Sequence, residues 1–365
     1  MAISNFSHPT EISFGLGAVA ALQDLREQLV PGRALLVCDQ ALRDSATLQR
    51  VLRYAGAHVL FTGTAALPAQ NEVLDGAELY VTEECQGIIA VGSAAAMELA
   101  KGIRLKVTHT LSLADYESSL GGAGRITADL PPLLAVPTLP GAASAVSPSL
   151  LVQLERNQRL VVITSPYLIP TAAVQDPELS LDLPPDALRL AALGGLAQNV
   201  DSYLSLGFHP IADGAALEGS RLIFAALPAL QAHPWDLQAL SSLIWGAILS
   251  AIATGKGPGV TQAIAHRLHR SYAVPYVIAR VLLVAAGLHT QDPPTRDRIG
   301  ILERHVAVGP LADALRAAVA SKTRLRDWHV PESEMDLIAA ASTNERVNSY
   351  HLEPGQVAAL LRAAW

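Results

Sequence analysis

The first half of this chain alternates short aliphatic and β-branched runs with helical stretches, and this alternation restricts its fold most strongly. Runs typical of buried strands occupy residues 34–39, 58–63, 87–92, 133–141 and 159–165. Segments with helical periodicity lie between several of them, at 45–56, 77–84 and 95–105. Strands separated by helices predict a mainly parallel sheet with helices on both faces. Ligands of such sheets bind beyond the carboxyl ends of the strands.

From residue 183 onward the pattern is helical throughout. In the segment 183–206, Leu188, Leu196 and Val200 share one apolar face with Ala191 and Ala192. Further helices are predicted at 212–230, 235–254, 259–272, 275–287, 295–304, 308–321, 333–342 and 355–365. The sequence therefore predicts an α/β domain over residues 1–175, an all-helical domain over residues 176–365, and a cleft between them.

Composition and charge exclude several classes of protein. The 365 residues are 50% hydrophobic and 16% charged, which is typical of a globular chain and not of a disordered one. The net charge is −7, and no basic run supports a nucleic-acid partner. The N-terminus lacks the basic start and apolar run of a signal peptide, and the apolar stretch 240–255 is short for a membrane span. We expect a cytoplasmic protein with a small-molecule substrate and no membrane contact.

The two cysteines, Cys38 and Cys85, both lie in or beside apolar strand-like runs. Free Cys is among the most buried residue types. We therefore expect two buried thiols rather than a disulfide or a metal-binding pair.

Several motifs follow one another in an order more specific than any one of them. They are FGLGAVAAL, VCDQ at 37–40, IIAVGSAAAMELAKGIRL at 88–105, AVPTLPGAASAVSP at 135–148, DPELSLDLPP at 176–185, GGLAQNVDSYLS at 194–205, GPGVTQAIAHRLHRSYAVPYVIA at 257–279 and VAALLRAAW. Together they resemble the iron-containing alcohol dehydrogenase family, including its maleylacetate reductase branch, nearly from end to end. The resemblance implies a dinucleotide-binding-like α/β N-terminal domain and an all-α C-terminal domain, the dehydroquinate synthase-like fold. It also implies a homodimer, which the family often forms.

The family holds a metal ion with one Asp and three His, and all four matching positions differ here. Gly194 stands for the Asp, and Gln198 and Gln262 stand for two of the histidines. Tyr276 replaces the His of a P-H-G turn. A glycine offers no side-chain ligand, and amides are poor ligands for Fe²⁺ or Zn²⁺. The resemblance thus predicts a protein without a metal, and the maleylacetate reductase branch implies that hydride transfer on this scaffold does not require one.

Two loops that bind nucleotide in the family are also altered. The first, G-G-G-S-x-x-D-x-A-K, reads GSAAAMELAK at 92–101, and the second, P-T-T-A-G-T-G-S-E, reads PTLPGAASA at 137–145. Asp39 matches the acid that favours NAD over NADP in the family. NAD(H) or NADP(H) is therefore the cofactor implied by the resemblance, while the lost glycines favour weakened or lost binding. The candidate nucleotide-binding residues are Asp39, Gly92, Ser93, Lys101, Thr138, Gly141 and Ser144.

Five residues of the helical half are candidates for the substrate site. His266 is either an acid/base group or hydrogen-bond donor, or a packing residue. Tyr276 either donates its phenol to a substrate oxygen or fills the emptied metal pocket. Arg280, where the family usually has Asn, attracts an anionic substrate if it points into the cleft. Gln198 and Gln262 bond one another, bond a substrate, or fill space.

Three functions remain open on this sequence. The first is a metal-independent, NAD(P)-linked oxidoreductase acting on a small carbonyl or enone compound, including anionic ones. The second is a non-redox lyase, isomerase or cyclase of a biosynthetic pathway that reuses the cleft without nucleotide or metal. The third is a non-catalytic relative. Nucleotide binding separates the first from the other two.

Overall fold

The computed structural model describes residues 10–63, 67–141, 143–155, 159–205, 207–256, 260–289, 293–319, 322–344 and 353–365. The first nine residues, where we predict no signal peptide, lie outside these ranges. The chain forms two compact units, one ending at Pro184 and the other running from Pro185 to Trp365. We call them the α/β domain and the helical domain.

The α/β domain is built on a six-stranded parallel sheet, as the alternating pattern predicts. The strand order is β1-β8-β5-β4-β2-β3, and every pairing in this sheet is parallel. β2 and β4 are buried almost throughout, which suits the continuous apolar runs of central parallel strands. The strands are β1 Glu11–Phe14, β2 Ala34–Asp39, β3 His58–Gly63, β4 Gly87–Gly92, β5 Leu133–Pro137, β6 Ser149–Gln153, β7 Leu160–Thr164 and β8 Ala172–Gln175.

The helices of this domain follow the expected order with different limits. They are α1 Ala21–Leu29, α2 Ala46–Leu52, α3 Gln70–Thr82 and α4 Ala94–Thr108. α2 begins where the Ser45 hydroxyl accepts a hydrogen bond from the Leu48 amide, as an N-cap residue should. It ends at Leu52, earlier than the predicted limit of residue 56. α3 starts seven positions before the expected residue 77.

β6 and β7 form a separate antiparallel pair outside the main sheet. The run at 159–165 is thus a strand, as expected, but it pairs with β6, which the sequence pattern does not mark. Three strands were missed in all: β1, β6 and β8. β1 and β8 are only four residues long, and such short strands give a weak periodic signal.

The helical domain confirms the predicted series of helices, with limits that shift by a few residues. They are α5 Pro185–Leu204, α6 Pro210–Ala232, α7 Leu237–Ala253, α8 Val260–Tyr272, α9 Tyr276–Gly287, α10 Pro293–Val306, α11 Leu311–Val319, α12 Met335–Asn344 and α13 Pro354–Ala364. α9 packs against both α5 and α8. These contacts bring together residues that are far apart in the chain.

The segment after β8 stays with the α/β domain, so the two compact units divide at Pro184 rather than at residue 175. Asp176 accepts a hydrogen bond from the Val19 amide, and Ser180 donates one to the Thr138 carbonyl. Both side chains are almost fully buried. These bonds hold the segment 176–184 against the sheet.

One helix, Leu237–Lys256 when its last turn is included, is long and apolar enough to cross a membrane by length and composition alone. More than half of it is buried within the protein. Core helices of globular proteins share this property, which agrees with its interpretation as a buried helix.

The expectation of two buried thiols is confirmed. Cys38 and Cys85 are free and buried. Burial raises the pKa of Cys38 to about 11, and it also raises that of Cys85. Both are therefore protonated, unreactive thiols at neutral pH.

Candidate functional site

Asp39 and Gly92 end the neighbouring parallel strands β2 and β4, so they lie at the same edge of the sheet. The Asp39 carboxylate accepts two hydrogen bonds from Ser93. One comes from the backbone amide at 2.6 Å and the other from the hydroxyl at 2.8 Å. The hydroxyl of Ser93 also caps α4 by accepting from the Ala95 amide. Asp39 thus fixes the turn that starts α4.

Gly92 cannot be replaced without strain. Its φ is 131°, and a Cβ atom would lie 2.2 Å from Oδ2 of Asp39. The backbone therefore approaches the acid so closely that only glycine fits. The Gly92 carbonyl accepts from the Thr138 amide, which joins this turn to the end of β5. The position is a glycine turn at a helix N-terminus, and its Ser93 amide is already bonded to the Asp39 carboxylate.

Lys101 is fully buried and bonded within the α/β domain. Its Nζ atom donates to the Ser144 hydroxyl at 3.0 Å, the Ser147 carbonyl at 2.8 Å and the Ser149 carbonyl at 2.9 Å. An ammonium group has three N–H donors, so these bonds use all of them. Lys101 therefore positions the loop that carries Ser144 instead of offering a free donor.

Glu98 joins this buried group, and sequence reasoning did not place it among the site residues. It accepts from the Leu151 amide at 3.1 Å, and the Ser144 hydroxyl also bonds to it. Burial raises the pKa of Glu98 and lowers that of Lys101, and each charge opposes the shift of the other. Its spacing of three residues from Lys101 on one helix was the signal that could have revealed the pair.

Thr138 and Gly141 complete the loop after β5. Thr138 is buried, and its carbonyl accepts from the Ser180 hydroxyl. Gly141 is half-buried, and its carbonyl accepts from the Ala143 amide at 2.8 Å. The candidate nucleotide-binding residues therefore form one connected region around the ends of β2, β4 and β5.

In the helical domain, Arg280 reaches from α9 to α5. Its Nη1 atom donates to Oε1 of Gln198 at 2.7 Å, and its Nη2 atom lies 3.4 Å from Oδ2 of Asp201. The amide of Gln198 in turn donates to Ser202. Arg280 is only 4% exposed, so this is a buried cation held by a carboxylate and an amide.

Asp201 is the residue of this group that sequence reasoning missed. Thr261 of α8 donates a 2.8 Å hydrogen bond to Oδ2, the oxygen that also faces Arg280. Burial raises the pKa of Asp201, whereas the Arg280 charge and the Thr261 hydroxyl favour its ionised form. Its position three residues after Gln198 on one helix was the available signal.

His266 and Tyr276 stack on one another, with ring centroids 4.3 Å apart and planes 27° from parallel. The Arg280 guanidinium carbon lies 5.9 Å from the Tyr276 ring centre. Burial, together with the smaller effects of Arg280, His269 and Arg270, lowers the pKa of His266 from 6.5 to about 3. The imidazole is therefore neutral at physiological pH.

Two buried polar atoms of this group find no partner among the described residues. They are Nε2 of His266 and Nε of Arg280. Leaving a buried polar group unpaired costs about 1–3 kcal/mol. Such a cost is tolerated where a ligand supplies the missing partner.

Gln262 and Gly194 stand apart from this network. Gln262 is half-buried on α8, and Gln198 bonds to Ser202 and Arg280 rather than to it. A Cβ atom at Gly194 would meet the Val277 side chain at 3.5 Å, an ordinary contact. The expectation that the two glutamines bond each other finds no hydrogen bond among the described residues.

These residues do not fit the metal that the family resemblance implies. Within the ranges that the structure describes, no group of three or more His, Cys, Asp or Glu side chains could share an ion. The Gln198 oxygen already accepts from Arg280, whose fixed charge repels a divalent cation. A site of one Asp and three His is therefore not retained.

Comparison with known proteins covers almost the whole chain. Residues 9–177 match the protein family described as "Iron-containing alcohol dehydrogenase". Residues 193–365 match the family described as "Fe-containing alcohol dehydrogenase family, C-terminal". The 4-hydroxybutyrate dehydrogenase of Cupriavidus necator is 29% identical over 350 residues, which cover 91% of each chain.

Solved structures agree with this comparison. A 1,3-propanediol oxidoreductase superposes with a TM-score of 0.87 at 26% identity and covers 100% of both chains. The sulfoacetaldehyde reductase of Bifidobacterium kashiwanohense, solved with NAD⁺, gives a TM-score of 0.87 at 22% identity. It covers 100% of this chain and 99% of its own.

Proposed function

Because this chain belongs to the iron-containing alcohol dehydrogenase family, we propose that it is a metal-independent, NAD(P)-linked oxidoreductase of small carbonyl compounds. The general class follows from relatives that are dehydrogenases of alcohols and hydroxy acids. The metal independence and the substrate are the proposal. A cytoplasmic location is part of the same proposal.

One observation carries the metal-independent part. A buried arginine bonds to Gln198, the residue at a position that the family uses for a metal ligand. A guanidinium keeps its charge at any physiological pH. The helical domain would thus carry a fixed positive charge beside a residue that the resemblance matches to a metal ligand.

The α/β domain keeps a region that suits a nicotinamide nucleotide. Gly92 lets the backbone at the end of β4 pass close to Asp39, and Ser93 opens the helix α4 beside it. Asp39, Thr138 and Gly141 would hold the nucleotide, while Lys101 and Ser144 position the loop. When bound, this cofactor supplies or accepts a hydride. The sulfoacetaldehyde reductase of the same fold was solved with NAD⁺.

The substrate-side residues follow from their protonation states. His266 is neutral, so it holds a substrate oxygen through an N–H bond and does not donate a full proton at neutral pH. Tyr276 orients the imidazole by stacking. The proposed substrate is a small aldehyde or ketone and its alcohol, by analogy with the relative named for 4-hydroxybutyrate.

The test is calorimetric titration of metal-analysed protein with NADH and NADPH. We expect micromolar binding of NADH. Asp39→Ser should weaken it about tenfold to a hundredfold, the effect of losing one hydrogen bond to a charged group. It should also favour NADPH, because a negative charge near the 2′-phosphate is removed. Asp44→Ser, at an exposed acid of the same domain, is the matched control.

Two results would contradict the proposal. Absence of binding at millimolar nucleotide would favour a non-redox enzyme on the same scaffold. Stoichiometric Fe or Zn in the purified, active protein would show that a metal is held by residues other than the replaced ones.

A further inference from the structure

The nitrogens of Arg280 are unequally used. Nη1 and Nη2 face Gln198 and Asp201, which fix the orientation of the guanidinium plane. Nε has no partner among the described residues, although the side chain is almost fully buried. A donor that is desolvated, charged and held from the other side is arranged to receive an acceptor.

A second unpartnered atom belongs to His266, which packs on the ring of Tyr276 near Arg280. His266 stacks on Tyr276, and the guanidinium of Arg280 lies near the Tyr276 ring as well. Nε2 of His266 is buried and unpaired in the described part of the chain. Two such unpaired polar groups beside one aromatic side chain suit a small ligand with a polar head.

The charge of the group indicates what that head is. Asp201 balances the Arg280 cation, and Thr261 holds Asp201 in place. His266 is neutral because burial and nearby positive charges lower its pKa. A substrate carboxylate would bring a full negative charge to a guanidinium that is already paired with Asp201, which is unfavourable in a buried site. An uncharged carbonyl oxygen would accept a hydrogen bond from Nε without that cost.

We infer that Arg280 is the catalytic residue that polarises the substrate carbonyl oxygen, and that the reacting end of the substrate is an uncharged aldehyde or ketone. Gln198, Asp201 and Thr261 are positioning residues that hold the guanidinium. This inference rests on the proposed oxidoreductase function and assigns a role within it. Arg280 then acts as electrophile and not as the anchor of an anionic substrate.

The step balances with the nicotinamide cofactor as the redox partner. In the reducing direction, a bound reduced nicotinamide would supply a hydride to the carbonyl carbon, and the π electron pair would move to oxygen. The Arg280 guanidinium would stabilise the negative charge that develops there. The oxygen would then take a proton from water, which would give the alcohol and the oxidised nucleotide.

Binding of unreactive probes tests the role without catalysis. We propose titrating the protein with butyramide, an uncharged carbonyl compound, and with butyrate, a carboxylate of equal length. The wild type should bind butyramide more tightly than butyrate. Arg280→Gln should weaken butyramide binding at least tenfold. The butyramide affinity of Arg280→Lys should fall between those of the wild type and Arg280→Gln.

Arg298→Gln is the matched control. Arg298 is a partly buried arginine of the same domain that pairs with Asp213 and lies over the Tyr203 ring. It belongs to neither proposed site, so its loss should leave butyramide binding unchanged. Circular dichroism at the titration temperature confirms that each variant is folded.

Several results would overturn the inference. Tighter binding of butyrate that is lost in Arg280→Gln would make Arg280 a carboxylate anchor. Butyramide binding that does not depend on Arg280, or no butyramide binding by the wild type, would exclude its role as the polarising group.

Kinetics with two alcohols separates this inference from the proposed function. For the oxidation of 4-hydroxybutyrate and of n-butanol by NAD⁺, kcat of Arg280→Gln should be about a hundredfold to a thousandfold lower than that of the wild type. This is the usual effect of removing one oxyanion donor. The loss should be equal for both alcohols. A rise in KM for 4-hydroxybutyrate alone would overturn the inference. A wild type inactive toward alcohols would contradict the proposed function, whereas the butyramide titration would still report on Arg280.

Discussion

Nη1 of Arg280 donates a 2.7 Å hydrogen bond to Oε1 of Gln198, which lies 82 positions earlier in the chain. The bond joins α9 to α5 in the interior of the helical domain. It connects Gln198, which the family resemblance matches to a metal ligand, with a fixed cation.

Restoring the ligands should not restore metal binding while Arg280 is present. The ligand-restored variant carries Gly194→Asp, Gln198→His, Gln262→His and Tyr276→His. We expect it to bind no Zn²⁺ because the guanidinium repels a divalent ion at this short range. Adding Arg280→Asn should give about one ion per chain, the usual content of a single tetrahedral site. Mass spectrometric metal analysis after gel filtration measures both.

The unmodified chain and the Arg280→Asn single variant are the controls, and neither should retain metal. Stoichiometric zinc in the ligand-restored variant with Arg280 intact would show that the cation does not prevent binding. At Gly194, the Cβ atom of the new side chain would make only ordinary contacts with Val277.

His266 should make the protein less stable in mild acid. Its pKa is lowered from 6.5 to about 3 by burial and nearby positive charges. Between these values the unfolded chain binds a proton that the folded protein does not, so stability falls as pH decreases through this window. In His266→Phe, which keeps an aromatic ring against Tyr276, this part of the slope should disappear. The difference should be at most about 1.4 kcal/mol per pH unit.

Urea unfolding at several pH values between 4 and 7 measures the effect. His233→Phe is the control, since His233 is exposed at the end of α6. Equal slopes for the wild type and His266→Phe would mean that the imidazole takes up its proton in the folded state. In that case His266 would again be a candidate general acid.

The strands that the sequence predicted are those with the strongest physical signal. β2 and β4 are continuous apolar runs because both faces of a central parallel strand are buried. β1 and β8 are four residues each, and Glu11 in β1 is exposed. Such segments are stabilised by their neighbours in the sheet. The sequence of these short segments alone therefore does not predict a strand.

The sequence identified most residues of the candidate site. It did not predict which of them bond to one another. The resemblance located Gln198 and Arg280 by matching them to family motifs. Their bond to one another depends on the packing of α9 against α5, which no local pattern encodes. Asp201 was missed for the same reason, because its role appears only once Arg280 is beside it.

Lys101 and Glu98 should be coupled in their contribution to the free energy of unfolding. Lys101→Met leaves the Glu98 carboxylate buried without its cation, and we expect a loss of about 3–5 kcal/mol in the free energy of unfolding. Lys101→Met with Glu98→Leu removes both charges and should recover most of that loss. Urea unfolding of the wild type, both single variants and the double variant gives the coupling free energy.

Lys106→Met serves as the control, because Lys106 bonds to backbone carbonyls near the end of α4 and lies only partly buried. If the double variant is as unstable as Lys101→Met, the charge of Glu98 is not the cause. The loss would then come from the carbonyls of Ser147 and Ser149 that Lys101 holds.

Gly92→Ala should weaken both the fold and the nucleotide site. The new Cβ atom would lie 2.2 Å from Oδ2 of Asp39, so the carboxylate must move away from Ser93. The backbone is also held at a positive φ, where a residue with a side chain is strained by about 1–3 kcal/mol. Gly124→Ala is the matched control, since a Cβ there meets nothing within 4 Å. Gly92→Ala should lower both the thermal unfolding temperature and the affinity for NADH. Gly124→Ala should change neither. Unchanged NADH affinity in a destabilised Gly92→Ala would separate the two roles, because the turn would then support the sheet without holding the nucleotide.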